Sequence, residues 1–322
     1  MPRPALRAAA LAIIAFAATA PASAQQARFP ERAISIVVPF GPGGTTDIMA
    51  RILADEFGRQ LGTSAVVVNT PGAGGAIAMA NVARAKPDGY TISMTTIGPL
   101  VIQPARRDNT GYASGDFDYL CGTYNVPVMA MVASTSPHRT IADLAAWAKA
   151  NPGKLSYGSS GIGTIPHISA LLLWKHLGTE ALHVPYKSTG DMVGPLKGGE
   201  IATFNETPPV ATQHLLRPLV ALADQRVPAF PDVPAAPELG IPVRASVWGG
   251  LVAPKGLPPD VRAKLEAACQ ATTATATYKE RAEKANSPLV YRSGAEFQRF
   301  ASEESERLRK VVAENGLEEK SR

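Results

Sequence analysis

Apolar and polar positions follow two alternating patterns along this chain. Short apolar or β-branched runs at residues 33–40, 65–69 and 90–95 predict β-strands. Between the first two runs, residues 47–61 carry apolar side chains at intervals of three and four, which predicts an amphipathic helix that ends at Gly62. Short apolar strands that alternate with helices are typical of parallel β-α-β units, so the pattern predicts an α/β protein.

The same alternation continues towards the C-terminus. Further strands are predicted at residues 155–158, 182–186, 202–205, 215–224 and 248–254. Further helices are predicted at residues 72–83, 140–150, 166–177, 259–275 and 296–315. Residues 117–133 form a long, mostly apolar stretch without a clear helical period.

Two predicted strands run into a glycine-rich turn and then directly into a helix. The first turn covers residues 40–47 (FGPGGTTD) and the second covers residues 159–164 (SSGIGT). Glycine lets the backbone approach a ligand closely, and a helix start offers free N–H groups and the positive end of the helix dipole. Each turn therefore predicts a seat for an anion that is built mainly from backbone.

Neither turn is a nucleotide-binding motif. The dinucleotide fingerprint would need glycine where Thr46 stands, and the phosphate loop would need a lysine that the first turn lacks. Ligands of open α/β sheets bind beyond the carboxyl ends of the strands. Two lobes that each offer such a turn therefore predict a ligand cleft between them.

Charge and reactive side chains exclude several function classes. The net charge is +5 and the basic residues are scattered, which argues against nucleic-acid binding. The five histidines form no metal motif, and two cysteines cannot close a zinc site, so we expect no metal and no cofactor. The nucleophile elbow G-x-S-x-G fails at Ile162, so the chain is not predicted to be an enzyme.

Residues 1–24 have the pattern of a secretory signal. Arg3 and Arg7 precede an apolar run over residues 8–20, and the run is followed by Ala-Ser-Ala at residues 22–24. An uncleaved membrane anchor is the alternative, but the run is shorter than the ~20 residues that a span needs. We expect a periplasmic protein that is cleaved near Ala24. Export also permits a disulfide between Cys121 and Cys269, with two buried free thiols as the alternative.

Several segments, in order, resemble one family. The stretch over residues 29–91, which contains PFGPGGTTDIMARIL, is followed by KLSYGSSGIGTIPH, HVPYKSTGDMVGPLKGGEI, RPLVALADQRVPAFPDVPAAPELG and WGGLVAPKGLPPDVRAKLEAAC. Together they resemble the periplasmic substrate-binding proteins of tripartite tricarboxylate transporters, the Bug/TctC family. The resemblance covers the chain from Phe29 to about Leu317.

The resemblance implies a type II periplasmic-binding-protein fold, in which two α/β lobes are joined by two crossing strands near residues 117–132 and 217–230. Lobe 1 would be discontinuous, with residues 25–124 and 228–322, and lobe 2 would cover residues 125–227. The implied function is a monomeric receptor that closes on a small carboxylate and delivers it to membrane transporter subunits. An extracytoplasmic sensor for a membrane signalling partner is the alternative function, and an exported enzyme is a more remote one.

The resemblance also implies a set of ligand-binding residues. In lobe 1 these are Phe40, Gly43, Gly44, Thr45, Thr46, Asp47, Ala73 and Gly74. In lobe 2 they are Ser160, Gly161, Ile162, Gly163, Thr164, Tyr186 and Asn205. Asp47 is expected to accept N–H groups of its own turn or to favour the helix start, because a carboxylate beside an anion seat would repel the ligand. Residues 203–209 (TFNETPP) depart from the family's commoner pattern, so the identity of the ligand depends on that segment.

Overall fold

The computed structural model of the chain describes residues 29–319, and the predicted signal peptide lies outside them. The strands are β1 Ile34–Val38, β2 Ala65–Asn69, β3 Thr91–Thr96, β4 Phe117–Pro127, β5 Met129–Val132, β6 Ser156–Ser159, β7 Leu182–Pro185, β8 Thr203–Glu206, β9 Arg217–Ala221, β10 Ser246–Pro254 and β11 Leu289–Ser293. The helices are α1 Thr45–Leu61, α2 Ala76–Ala83, α3 Gln103–Arg106, α4 Ile141–Ala150, α5 Ile165–His176, α6 Gly190–Gly198, α7 Pro208–His214, α8 Pro259–Ala274, α9 Ala276–Lys284 and α10 Gly294–Glu314.

The strands form two sheets, and helices pack around them. The first sheet has the order β11-β4-β10-β3-β1-β2, and the second has the order β7-β6-β8-β5-β9. Within each sheet three neighbouring strands are parallel, β2-β1-β3 and β7-β6-β8, while the other pairs are antiparallel. The α/β class is therefore confirmed. No helix of residues 29–319 has both the length and the apolar character that a membrane span requires.

The chain passes between the two sheets twice. It crosses first at Val128, between β4 and β5, and returns through residues 222–245, between β9 and β10. Backbone hydrogen bonds of 2.8–2.9 Å join the crossing segments, from Val128 to Ala245, from Ala245 to Leu222 and from Leu222 to Val128. The crossing points fit the predicted arrangement of two lobes, whose stated boundaries stay a prediction.

Local signals fix the helices beside the first sheet and at the start of α4. Met49, Leu53 and Phe57 of α1 are buried, as the apolar spacing predicted, and Gly62 ends the helix in the left-handed region at φ 68°. Thr140 caps α4, because its hydroxyl accepts the Asp143 N–H while the Asp143 carboxylate accepts the Thr140 N–H. Such a capping box stabilises a helix by about 1 kcal/mol.

Several elements gave no clear signal in the sequence. Residues 117–133 become β4 and β5, which are buried on both faces and therefore lack the alternating pattern of a half-exposed strand. Helix α6 contains three glycines and Pro195, so its intrinsic helix propensity is low and packing forms it. Helices α7 and α9 and the edge strand β11 were also missed.

A disulfide joins Cys121 on β4 to Cys269 on α8, and both side chains are fully buried. It ties β4, next to the edge strand β11, to a helix that packs on the first sheet. The two residues are 148 positions apart, so the bond constrains a long loop of the unfolded chain.

Candidate functional site

The two glycine-rich turns face each other between the sheets. The first turn follows β1 and leads into α1, and the second follows β6 and leads into α5, so both lie at carboxyl ends of parallel strands. They enclose a cavity of about 30 Å³, which has room for only a few water molecules. The lobes are therefore closed on one another, and a small organic acid enters only if they separate.

The first turn offers backbone donors to this cavity. The first hydrogen bond of α1 runs from the Ile48 N–H to the Gly44 carbonyl at 3.0 Å. The N–H groups of Thr45, Thr46 and Asp47 come before this bond and point out of the helix start. Free N–H groups and the positive end of a helix dipole are the features that a backbone anion seat requires.

Asp47 supports the first turn from outside the cavity centre. Its carboxylate accepts the Gly43 N–H at 3.1 Å and the Asn69 amide at 2.9 Å, and it pairs with Arg51 at 2.9 Å. The Asp47 charge is thus balanced by Arg51 and used to fix the loop. This geometry agrees with the turn-stabilising role expected of Asp47.

The second turn is braced by hydrogen bonds within itself. The Gly161 carbonyl accepts the hydroxyls of Thr164 at 2.8 Å and Ser159 at 3.0 Å, and the Gly163 N–H donates to His167 Nδ1 at 3.2 Å. Ser160 lines the cavity, and its hydroxyl makes no hydrogen bond to any residue of 29–319. The turn therefore presents Ser160 from a rigid base.

Two neighbouring histidines, whose rings are tilted by 32° relative to each other, form that base. The rings of His167 and His183 lie 4.1 Å apart, and His183 Nε2 is 2.6 Å from the Ser159 hydroxyl. Burial lowers the pKa of His167 to about 3, with the neighbouring His183 and Arg106 as smaller causes. Burial alone lowers the pKa of His183 to about 4. Both rings are neutral near pH 7 and act as hydrogen-bonding supports of the turn.

Side chains of each lobe also form hydrogen bonds with backbone carbonyls of the other lobe. Gln103 Nε2 donates to the Ile162 carbonyl at 2.8 Å, and the Arg106 guanidinium reaches the same carbonyl at 3.4 Å. On the other side of the cleft, His214 Nε2 lies 3.1 Å from the Gly43 carbonyl. These contacts join elements of different sheets, so they exist only while the cleft is closed.

Glu206 is the main site residue that the sequence reasoning missed. It ends β8, lines the cavity and is 3% exposed. Its carboxylate accepts the hydroxyls of Thr45 at 2.9 Å and Thr189 at 2.6 Å, and the Thr207 N–H at 3.2 Å. Burial raises the pKa of Glu206, and these three hydrogen bonds oppose that effect.

The other predicted residues divide into three groups by position. The cavity is lined by seven of the predicted residues, Phe40, Gly44, Thr45, Thr46, Asp47, Ser160 and Thr164. Besides Glu206, the lining residues that were not predicted are Thr96, Ile97, Gly98, Ile165, Pro166, Thr189 and Val247. Ala73, Gly74, Gly161, Ile162 and Tyr186 line a wider neighbouring groove of about 570 Å³. Gly43, Gly163 and Asn205 line neither space.

These last three residues act behind the cavity surface. Gly43 binds Asp47 and His214 as described, and Gly163 packs so closely on Arg106 that a Cβ would lie 2.3 Å from its Cδ. Asn205 is fully buried and donates to the Ser169 hydroxyl at 3.1 Å. Its neighbour Glu206 is the residue of β8 that reaches the cavity.

The hydrogen-bond donors that line the cavity are neutral groups. Within residues 29–319, no group of three or more histidine, cysteine, aspartate or glutamate side chains is placed to hold a metal ion. The described lining contains no lysine, arginine or histidine either. Recognition of an anion here would rest on backbone N–H groups and hydroxyls.

Comparison with known sequences agrees with this geometry. The family described as tripartite tricarboxylate transporter family receptor, TctC, matches residues 49–317. A curated Cupriavidus necator protein, the UPF0065 protein in the gbd 5' region, is 34% identical over 313 residues, which cover 96% of this chain and 95% of the relative. Both matches extend over the two sheets.

Solved structures of similar fold include proteins with a bound acid. The periplasmic binding protein BugD is 31% identical with a TM-score of 0.86, covering 91% of this chain and 100% of its own. MatC from Rhodopseudomonas palustris with bound malate is 28% identical with a TM-score of 0.82, covering 88% and 100%. A further R. palustris protein with adipate is 29% identical with a TM-score of 0.84, covering 89% and 98%.

Proposed function

The chain belongs to the TctC family of tripartite tricarboxylate transporter receptors, and we propose that it is a periplasmic solute-binding receptor for a small organic acid. The observation that carries this proposal is the pair of facing turns, each at a helix start and each with free donors. The malate and adipate complexes of two structural neighbours support a carboxylate as the ligand class.

The proposed mechanism exchanges water for fixed donors. A ligand carboxylate would leave its hydration shell and accept the N–H groups of Thr45 and Thr46 and the hydroxyl of Ser160. These donors are held in place by the Asp47 and His167 contacts, so little ordering is required when the ligand binds. Hydrogen bonds to a charged group are about twice as strong as neutral ones, which favours an anion over a neutral analogue.

Closure of the cleft would couple binding to transport. With the ligand between the lobes, the Gln103 and Arg106 contacts to Ile162 would form only if the bound molecule lets the two turns approach each other. The closed receptor would then present a different surface to the membrane subunits than the open one. We further propose that the protein is monomeric and that it is exported with its signal peptide cleaved near Ala24.

A thermal-shift screen tests the proposal. The panel contains malate, adipate, citrate, aspartate, glutamate and nicotinate. A ligand at one hundred times its Kd adds about 2.7 kcal/mol, which corresponds to a rise in Tm of about 4 °C for a chain of this size. If none of these acids raises the Tm of the purified protein, the receptor proposal is wrong.

A pair of double variants locates the site. Thr45→Ala with Thr164→Ala removes the hydroxyls that brace the two turns, through Glu206 and through the Gly161 carbonyl, and should reduce the shift because the ligand donors are held less firmly. Thr140→Ala with Thr273→Ala removes two hydroxyls outside the cleft and serves as the matched control. The control should lower the Tm of the free protein and keep the full shift. Full affinity in the Thr45 and Thr164 variant would contradict the claim that these braced turns hold the ligand donors in place.

A further inference from the structure

Glu206 places a buried carboxylate in a site that is otherwise built for an anion. It stands at the carboxyl end of β8 and faces Thr45 at the start of α1 across the cleft. With 3% of its surface exposed, it has little access to water. A ligand carboxylate on the first turn would therefore lie close to a second negative charge of the protein.

The surrounding residues do not neutralise this charge. Asp47, the other acidic residue of the lining, pairs with Arg51, whereas no arginine, lysine or histidine of residues 29–319 lies within ion-pair distance of Glu206. A buried carboxylate without a cation is costly, and single hydrogen bonds from neutral groups recover only part of the cost. The cleft thus contains an acceptor whose counter-charge the described chain does not supply.

The hydrogen-bond partners of Glu206 can serve an ionised carboxylate. The Thr207 N–H is a donor, and the hydroxyls of Thr45 and Thr189 can both donate to the carboxylate oxygens. The Thr45 hydroxyl also lies 2.7 Å from the hydroxyl of Thr207. Donors that converge on both oxygens favour the charged form and oppose the effect of burial, which raises the pKa of Glu206. A ligand cation beside the carboxylate would favour the charged form further.

We infer that Glu206 selects a ligand that carries a protonated amine in addition to its carboxylate. This inference rests on the proposed function, because it assumes that the closed cleft is the ligand site. The ammonium group supplies the missing cation and gives Glu206 a charge-assisted hydrogen bond, while the ligand carboxylate takes the N–H groups of the first turn. An acid with a hydrogen in place of the amine leaves Glu206 buried and unpaired, so it binds more weakly.

Matched pairs of acids test the inference by isothermal titration calorimetry. The pairs are aspartate with succinate, glutamate with glutarate, and alanine with propionate, and within each pair only the amine differs. The wild-type protein should bind the amino member of at least one pair about 10- to 150-fold more tightly than its partner, the range expected for a hydrogen bond between charged groups. Equal or tighter binding of the member without the amine in every pair that binds would overturn the inference.

Variants at Glu206 assign the preference to this residue. Glu206→Gln should reduce the ratio within the pair to less than threefold, and the exposed Glu200→Gln should leave it unchanged. If Glu206 were instead neutral and donated to a second ligand carboxylate, glutamine would replace that donor. The member without the amine would then be preferred, and the variant would keep its affinity. A Glu206→Gln ratio equal to that of the wild type would also refute the assignment.

The two proposals fail in different ways. If no acid of the thermal-shift panel or of the three pairs binds the wild type, the receptor function is wrong and the inference falls with it. If malate or adipate binds while no amino acid of the pairs does, the receptor function stands and the role of Glu206 is wrong. The wild-type measurements alone separate these results, even if Glu206→Gln fails to fold.

Discussion

Gln103→Leu removes a hydrogen bond that joins the two lobes only when the cleft is closed. The Gln103 side chain is fully buried, and its amide donates to the Ile162 carbonyl at 2.8 Å. Leucine has a similar volume, so the main loss is this donor, together with the contact of the amide oxygen to Arg106 at 3.2 Å. A net loss of about 0.5–1.5 kcal/mol is expected for such a bond.

The loss should appear in affinity, because the observed Kd includes the free energy of closure. We expect the ligand with the largest thermal shift to bind about 2- to 13-fold more weakly to Gln103→Leu by isothermal titration calorimetry. Gln60→Leu is the matched control, since Gln60 is exposed on α1 and donates only to Glu56 at 3.1 Å. It should keep the wild-type Kd.

Small-angle X-ray scattering would show the same effect as a change in shape. The Gln103→Leu protein should have a radius of gyration closer to that of the open form at a ligand concentration that closes the wild type. A folded Gln103→Leu variant with wild-type Kd and wild-type scattering would refute the idea that the Ile162 contact stabilises the closed cleft.

Two further predictions concern stability. Burial lowers the pKa of His167 to about 3 and of His183 to about 4. Below pH 6.5 these histidines therefore bind protons in the unfolded chain but stay neutral in the folded chain until the pH approaches 4. The free energy of unfolding therefore falls as the pH falls from 6.5 towards 4, and calorimetry should show a lower Tm at pH 4.5 than at pH 7. The difference should shrink in a His167→Gln, His183→Asn variant; a variant with the same difference would contradict this origin. Replacing Cys121 and Cys269 by alanine should lower the free energy of unfolding by about 2–5 kcal/mol, and an unchanged urea midpoint would argue against it.

The parts of the fold that the sequence predicted are those with local signals. Strand β2 was predicted with its observed bounds, because a β-branched run between turn residues has few other conformations. The end of α1 followed from Gly62, and the start of α4 followed from Thr140. Each of these signals lies within a few residues of the feature that it fixes.

The parts that could not be predicted depend on contacts between distant segments. All four residues of β8 are buried, so no alternation of polar and apolar residues shows which side faces the cleft. The choice of Asn205 as the cleft residue, next to Glu206, reflects this missing information. Thr189 lines the cavity from the start of α6. This helix could not be predicted, because its glycines lower its helix propensity.

The facing turns gave a correct picture of the central geometry for a physical reason. A strand, a glycine-rich turn and a helix start have to follow one another in the chain, so the sequence contains the whole local unit. The distance between the two units is set by the two chain crossings and by side chains such as Gln103. Such long-range contacts leave no periodic pattern.

A crystal structure of the protein with the acid that gives the largest thermal shift tests the central claim most directly. The account predicts a ligand carboxylate within hydrogen-bond distance of the N–H groups of Thr45 and Thr46, between the two turns, with Ser160 on the opposite side. A ligand bound outside this cleft, or held there without contact to the N–H groups of the first turn, would contradict the account.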